Sequence, residues 1–140
     1  MSLLKLSDQS ELSLEGLCQQ ADSTLLYFYP KDMTSGCTQQ AEMLRDAHET
    51  FQSHGVQVIG VSRDSMSRHH KFIEKHALPF RLISDEDSLL CEQFGVLAEK
   101  SMYGRKYVGI VRSSFLLSSE GKIMHEWRNV KIKEHVEDLV

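Results

Sequence analysis

The sequence predicts an α/β fold in which a central mixed β-sheet carries helices on both faces. Apolar and aromatic runs of about six residues alternate with stretches whose apolar residues recur at helical spacing. The alternation then gives way to two strands joined by a short Gly-containing turn. A chain of 140 residues, 41% apolar and 26% charged, suits one compact domain spanning 1–140 with a real core.

Thr24-Leu25-Leu26-Tyr27-Phe28-Tyr29 reads as a buried strand closed by Pro30. From about Cys37 to Phe51 the larger apolar residues fall at Met43, Leu44, Ala47 and Phe51, which fits a helix with one buried face, stopped at Gly55. Val56 to Val61 is a second strand, and Ser65 to His76 a second helix presenting Phe72 and Ile73 inward. A short strand near Phe80 to Ile83 follows Pro79, then a helix near Ser88 to Phe94 ended by Gly95. Ser113 to Ser118 and Ile123 to Arg128 form a hairpin turned through Ser119-Glu120-Gly121-Lys122. A terminal helix from about Lys133 is too short to stand alone and must pack Val136, Leu139 and Val140.

Composition excludes several function classes. The amino terminus lacks a run long enough for a signal peptide, and nowhere do about 18 apolar residues occur together, so a soluble, cytoplasmic protein with no membrane role is expected. A net charge of −4 gives no electrostatic reason to expect nucleic acid. Three cysteines, at 18, 37 and 91, form no C-x-x-C pair, which argues against a zinc clamp and a dithiol motif, and their odd number argues against a disulfide scaffold. Each is then either an inert core residue or a reactive thiol, and only its surroundings decide.

Cys18 and Cys91 sit among apolar neighbours, as inert thiols do. Cys37 differs. In Pro30-Lys31-Asp32-Met33-Thr34-Ser35-Gly36-Cys37-Thr38-Gln39-Gln40 it stands where a loop leaving a strand enters a helix. Unpaired N–H groups and the positive end of the helix dipole favour a thiolate there. Gly36 allows close backbone approach, and Thr34 offers a hydroxyl to the sulfur or to a bound oxygen. Ionisation alone contributes little: moving any cysteine's pKa from about 8.5 to about 6 raises its thiolate fraction at pH 7 only about 30-fold. The larger contribution must come from donors aimed at the oxygens of a substrate.

Pro30, Thr34 and Cys37 reproduce the P-x-x-x-T-x-x-C signature of peroxiredoxins, and Tyr27-Phe28-Tyr29-Pro30-Lys31 with Gly36-Cys37-Thr38 resembles the Q-type subfamily, the bacterioferritin comigratory proteins. The similarity runs through Gly60-Val61-Ser62-Arg63-Asp64-Ser65, Leu82-Ile83-Ser84-Asp85, Met102-Tyr103-Gly104, Gly109 to Leu117 and Trp127-Arg128, essentially the whole chain. It implies a thioredoxin-like fold and a thiol-dependent peroxidase in which Cys37 is oxidised to sulfenic acid, with no cofactor or metal. Arg112 takes the place of the family's peroxide-orienting arginine, and Gln40, one helical turn past Cys37, that of the residue which orients it. The implied partners are a peroxide and a thiol reductant such as thioredoxin, glutaredoxin or a small thiol.

Two departures stand out. Ser35 replaces a usual proline, which removes no catalytic group. The two positions where the subfamily carries a second, resolving cysteine hold Glu42 and Ile73. Cys91, Cys18 or an external thiol is left to recycle Cys37, and an external thiol is expected because Cys91 is embedded beside Leu90 and Phe94. The absence of the long carboxy-terminal extension used by ring-forming relatives points to a monomer or small homodimer.

Alternative readings are a redox sensor that passes oxidation from Cys37 to a partner protein and a general thiol-disulfide oxidoreductase. His69, His70 and His76 read as a solvated helix face, Met102-Tyr103 as packing or a border of the peroxide pocket, and Lys100, Arg105, Lys106, Lys131 and Lys133 as scattered surface charge.

Overall fold

The computed structural model describes residues 3–102 and 104–128. The expected terminal helix with Val136, Leu139 and Val140 lies outside them, as do Tyr103, Lys131 and Lys133. In chain order the elements are β1 (Leu4–Lys5), β2 (Glu11–Leu12), α1 (Leu14–Cys18), β3 (Ser23–Phe28), α2 (Ser35–Asp46), α3 (His48–Ser53), β4 (Val56–Ser62), α4 (Met66–His76), β5 (Arg81–Ser84), α5 (Leu89–Gln93), β6 (Leu97–Met102), β7 (Arg105–Ile110), β8 (Ser113–Ser118) and β9 (Ile123–Trp127).

The central sheet has the order β5-β4-β3-β8-β9. β3, β4 and β5 run parallel, while β8 pairs antiparallel with β3, and β9 with β8. Strand alternation divides the interior into two layers. Leu26 and Phe28 point into a cluster with Leu17 and Cys18 of α1 and with Leu90 and Cys91 of α5. Leu25 and Tyr27 point the other way, onto Cys37, Ala41 and Leu44 of α2, Phe51 of α3 and Phe72 of α4. Helices thus cover both faces, as the alternation predicts. Gly60 in β4 is required by this packing, since a Cβ there would meet the Tyr27 ring at 2.8 Å and the Leu82 side chain at 2.7 Å.

The long helix expected over 37–51 is divided at Ala47, where φ and ψ are −94° and 3°. Hydrogen bonds from Ala47 N to Met43 O and from Phe51 N to Ala47 O carry the ladder across the joint, so the buried face continues. Gly55 ends the segment at φ +72°, the left-handed geometry expected of a helix stop. Phe72 is buried as expected, whereas Ile73 is only partly so.

Two hairpins escape the sequence reading. β1 and β2 are two residues each, too short to show a period. β6 and β7 are built on Leu97-Ala98-Glu99-Lys100-Ser101-Met102 and Arg105-Lys106-Tyr107-Val108-Gly109-Ile110, with β7 exposed over its first four residues. The available signal was the two-residue connection ending in Gly104, which sits at φ +78° between the paired Met102 and Arg105. Among the described residues no helix is long and apolar enough to cross a membrane.

Candidate active site

The site forms where the parallel strands end. β3 stops at Phe28, Pro30 turns the chain out of the sheet, and the loop enters α2 with Thr34 at its N-cap. Ser35 occupies the first helical position, the one at which proline is tolerated best, so the departure from the usual proline leaves the helix start intact. Gly36 is second and Cys37 third, which leaves the Cys37 N–H without an intrahelical carbonyl to receive it. Among the described residues no side chain caps this terminus.

Strand register brings the cation to the sulfur. Phe28 of β3 pairs with Ser113 of β8, so Arg112, one residue before β8, emerges beside the end of β3 where the Cys37 loop departs. Its Nη2 lies 3.4 Å from the Cys37 Sγ, and its Nη1 donates to Gln40 Oε1 at 2.5 Å. Gln40, buried one turn beyond Cys37, holds one edge of the guanidinium while the other faces sulfur. Among the described residues no carboxylate forms an ion pair with Arg112, so its charge is left to the site. Gln40 Nε2 and the Tyr27 hydroxyl are buried without a hydrogen-bond partner among the described residues. Burial, with negative charge at Asp32 and Cys37, pushes the Tyr27 hydroxyl well above its ordinary range, so it stays a neutral phenol.

The structure therefore brings together Cys37, Arg112 and Gln40. Thr34 is nearby in sequence, but its hydroxyl is committed: it donates to the Lys31 carbonyl at 2.9 Å. Of the two partners expected for this hydroxyl, the sulfur or a bound oxygen, either meets it here as an acceptor, since its proton goes to the Lys31 carbonyl. Cys37 itself is only 2% exposed.

Cys18 and Cys91 are fully buried and free. Burial pushes the Cys18 thiol up. For Cys91 the rise is larger, caused by burial and then by the Asp85 carboxylate. Both thus lie in the apolar surroundings from which the sequence leads one to expect inert thiols.

Two readings made from sequence are corrected. His69 does not belong to a solvated face: it is fully buried, with Nδ1 2.6 Å from Asp32 Oδ2 and Nε2 2.9 Å from the Ile83 carbonyl oxygen. The signal was present, because His69, Phe72, Ile73 and His76 recur at i, i+3, i+4 and i+7, the spacing of a buried helix face. His70, by contrast, is exposed as expected. Nor is Lys100 scattered surface charge: its Nζ donates to the Ile110 carbonyl at 2.5 Å, and burial, then the Arg112 guanidinium, push its ammonium below the ordinary value. No three His, Cys, Asp or Glu side chains converge on a metal-sized site among the described residues.

Comparison with known proteins identifies the family. Residues 3–126 match the model of the AhpC/TSA family. Peroxiredoxin Bcp of Bacillus subtilis is 51% identical over 116 residues, which cover 83% of this chain and 74% of that protein. Peroxiredoxin Bcp of Escherichia coli K12 is 48% identical over the same shares. A solved structure of Peroxiredoxin Q from Xanthomonas campestris superposes with a TM-score of 0.90 at 39% identity, covering 98% of this chain and 85% of the other. The fold is the thioredoxin-like arrangement of these relatives. The chain belongs to the AhpC/TSA family and is a thiol-dependent peroxidase of the peroxiredoxin type.

Proposed function

We propose that Cys37 is the peroxidatic sulfur and that the protein reduces hydrogen peroxide and small organic hydroperoxides with electrons from an external thiol. The observation that carries this is the Arg112 guanidinium, fixed by Gln40 on one edge and placed 3.4 Å from sulfur on the other. A relative in Xanthomonas campestris, the bacterioferritin comigratory protein, is described as having alkyl peroxide reduction activity, which supports the substrate class.

Cys37 thiolate attacks one peroxide oxygen in line with the O–O bond. The S–O bond forms as O–O breaks, sulfur is oxidised to sulfenic acid, and the departing oxygen leaves as hydroxide or alkoxide to be protonated to water or alcohol. Arg112 neutralises the charge that develops on the oxygens, in a site closed enough for that charge to count. The Cys37 N–H supplies a second donor. Thr34, its own proton already committed, accepts the peroxide O–H. Pro30 and Gly36 frame the pocket.

A thiol then condenses with the sulfenic acid to a mixed disulfide with loss of water, and a second thiol reduces that disulfide. Cys91 is an unfavourable source, since it is fully buried and Asp85 and burial both hold its thiol protonated. The reductant is therefore a small thiol, a glutaredoxin or a thioredoxin, acting on a cytoplasmic monomer or small homodimer. The test is peroxide consumption with a thioredoxin system and separately with a small thiol. Cys37→Ser abolishes it, whereas Cys18→Ser retains most of it; equal loss in both variants would contradict the assignment.

A further inference from the structure

Asp32 lies in the loop that delivers Cys37 to α2, yet it is fully buried and every polar group it owns is engaged. Its Oδ1 accepts from the Tyr29 hydroxyl at 2.5 Å, and its Oδ2 meets His69 Nδ1 at 2.6 Å. Its N–H donates to the Asp64 carboxylate at 2.7 Å, and its carbonyl accepts from Arg68 Nη2 at 3.0 Å. Three of those four partners, Asp64, Arg68 and His69, come from the short segment that leads into α4 and forms its first turn. His69 is in turn fixed to β5, because the Ile83 carbonyl can only accept and Nε2 must therefore donate to it.

The next residue, Met33, is held at φ +67°, a left-handed conformation that side-chain-bearing residues adopt rarely and keep only where their surroundings over-determine it. Immediately after it α2 begins, uncapped by any side chain and with Thr34 and Ser35 exposed. Ala41 and Leu44 pack the body of α2 into the core, whereas residue 34 is held by its hydroxyl on the Lys31 carbonyl, a bond within the loop itself. The geometry of this entry thus depends on the loop.

We propose that the buried Tyr29, Asp32 and His69 side chains form a strut that positions Cys37 for reaction. The strut fixes residue 32, drives the chain through the left-handed turn at Met33, and thereby sets the first turn of α2 so that the sulfur faces Arg112 and Gln40. These are positioning residues: they act through the loop and touch no reacting atom. The inference rests on Cys37 being the peroxidatic sulfur, and it adds α4 to the parts of the molecule on which the reaction depends. Misplacing a reacting group by about 1 Å costs up to about 100-fold in rate, which sets the scale of the expected effect.

Stopped-flow oxidation of Cys37 by hydrogen peroxide tests the proposal, read beside alkylation of the same sulfur by iodoacetamide, a neutral reagent with no need of Arg112. Asp32→Ala lowers the peroxide rate about 10- to 100-fold while alkylation changes by less than about threefold. Asp32→Asn recovers most of that loss, because its amide oxygen accepts from Tyr29 and its amide N–H donates to His69 Nδ1, preserving the geometry without the charge. A wild-type peroxide rate in Asp32→Ala, parallel loss of both reactivities, or no recovery in Asp32→Asn would each overturn it. If Asp32→Ala does not fold, Tyr29→Phe, which deletes one hydroxyl, is read by the same two rates. Failure of the underlying assignment is distinguishable, since it appears as peroxide consumption surviving in Cys37→Ser.

Discussion

Cys37 and Cys91 occupy the same place in two helices, the third residue of α2 and the third residue of α5, and both are buried. Their electrostatic surroundings are opposite. At α5 the Asp85 carboxylate accepts from the Leu90 and Cys91 N–H groups at 3.1 and 2.9 Å, so the helix terminus is already satisfied and the thiol faces negative charge. At α2 no side chain caps the terminus, and the thiol faces a guanidinium. A helix start alone therefore does not set the charge that a buried thiol meets. The sign of the group supplied from elsewhere in the fold decides, Arg112 in one case and Asp85 in the other.

The largest expected effect comes from removing the cation. Arg112→Met slows oxidation of Cys37 by about 100-fold, the usual scale for losing a donor to developing oxyanion charge. Ultraviolet thiolate absorbance, measured beside the rate, shows whether the loss exceeds the change in ionisation. If the rate falls only in proportion to the thiolate, Arg112 does not bind the transition state.

Altering the anion sharpens the other half. Asp85→Asn removes one of two N–H acceptors and the charge beside Cys91, at a cost of about 1 kcal/mol in stability. Native-state alkylation of Cys91 at pH 9 then rises about fivefold, while the peroxide rate of Cys37 stays within about twofold of wild type. A Cys91 whose alkylation is indifferent to Asp85 would mean that burial alone protects it.

How far this contrast was legible in the sequence differs between the two thiols. The P-x-x-x-T-x-x-C spacing and the loop-to-helix position single out Cys37, and the resemblance supplies Arg112, because proximity across 75 residues is set by the pairing of β3 with β8 and no local pattern records it. Apolar neighbours mark Cys91 as inert, but the Asp85 cap is visible only once β5 and α5 are placed. The strand alternation of Leu25, Leu26, Tyr27 and Phe28 is legible because both faces are packed. The β6–β7 hairpin is not, since its mixed, largely exposed residues carry no period. The burial of His69 is masked in the sequence by its polar neighbours Arg68 and His70, which do face solvent.

A smaller effect follows from the protonated state of the buried acids. Cys91, and to a lesser degree Cys18, has its folded pKa raised above an ordinary value of 9.0, and Tyr27 and Tyr29 are raised above 10.0. The unfolded chain loses these protons first as pH rises, so the stability they contribute is complete below about pH 9 and declines above it, by up to about 1.4 kcal/mol per pH unit for each group. Urea midpoints between pH 7.5 and 10.5 fall beyond pH 9, with a shallower slope in Cys91→Ala. Equal slopes would show that Cys91 ionises as readily folded as unfolded.

Oxidation of the wild-type protein with one equivalent of hydrogen peroxide in the absence of reductant, followed by dimedone trapping, non-reducing digestion and mass spectrometry, tests the account most directly. A dimedone adduct on Cys37 with no protein disulfide is the predicted result, since the Arg112-facing thiol alone reacts and the Asp85-facing thiol stays protonated and buried. Rapid, near-complete formation of a disulfide between Cys37 and Cys91 would contradict it.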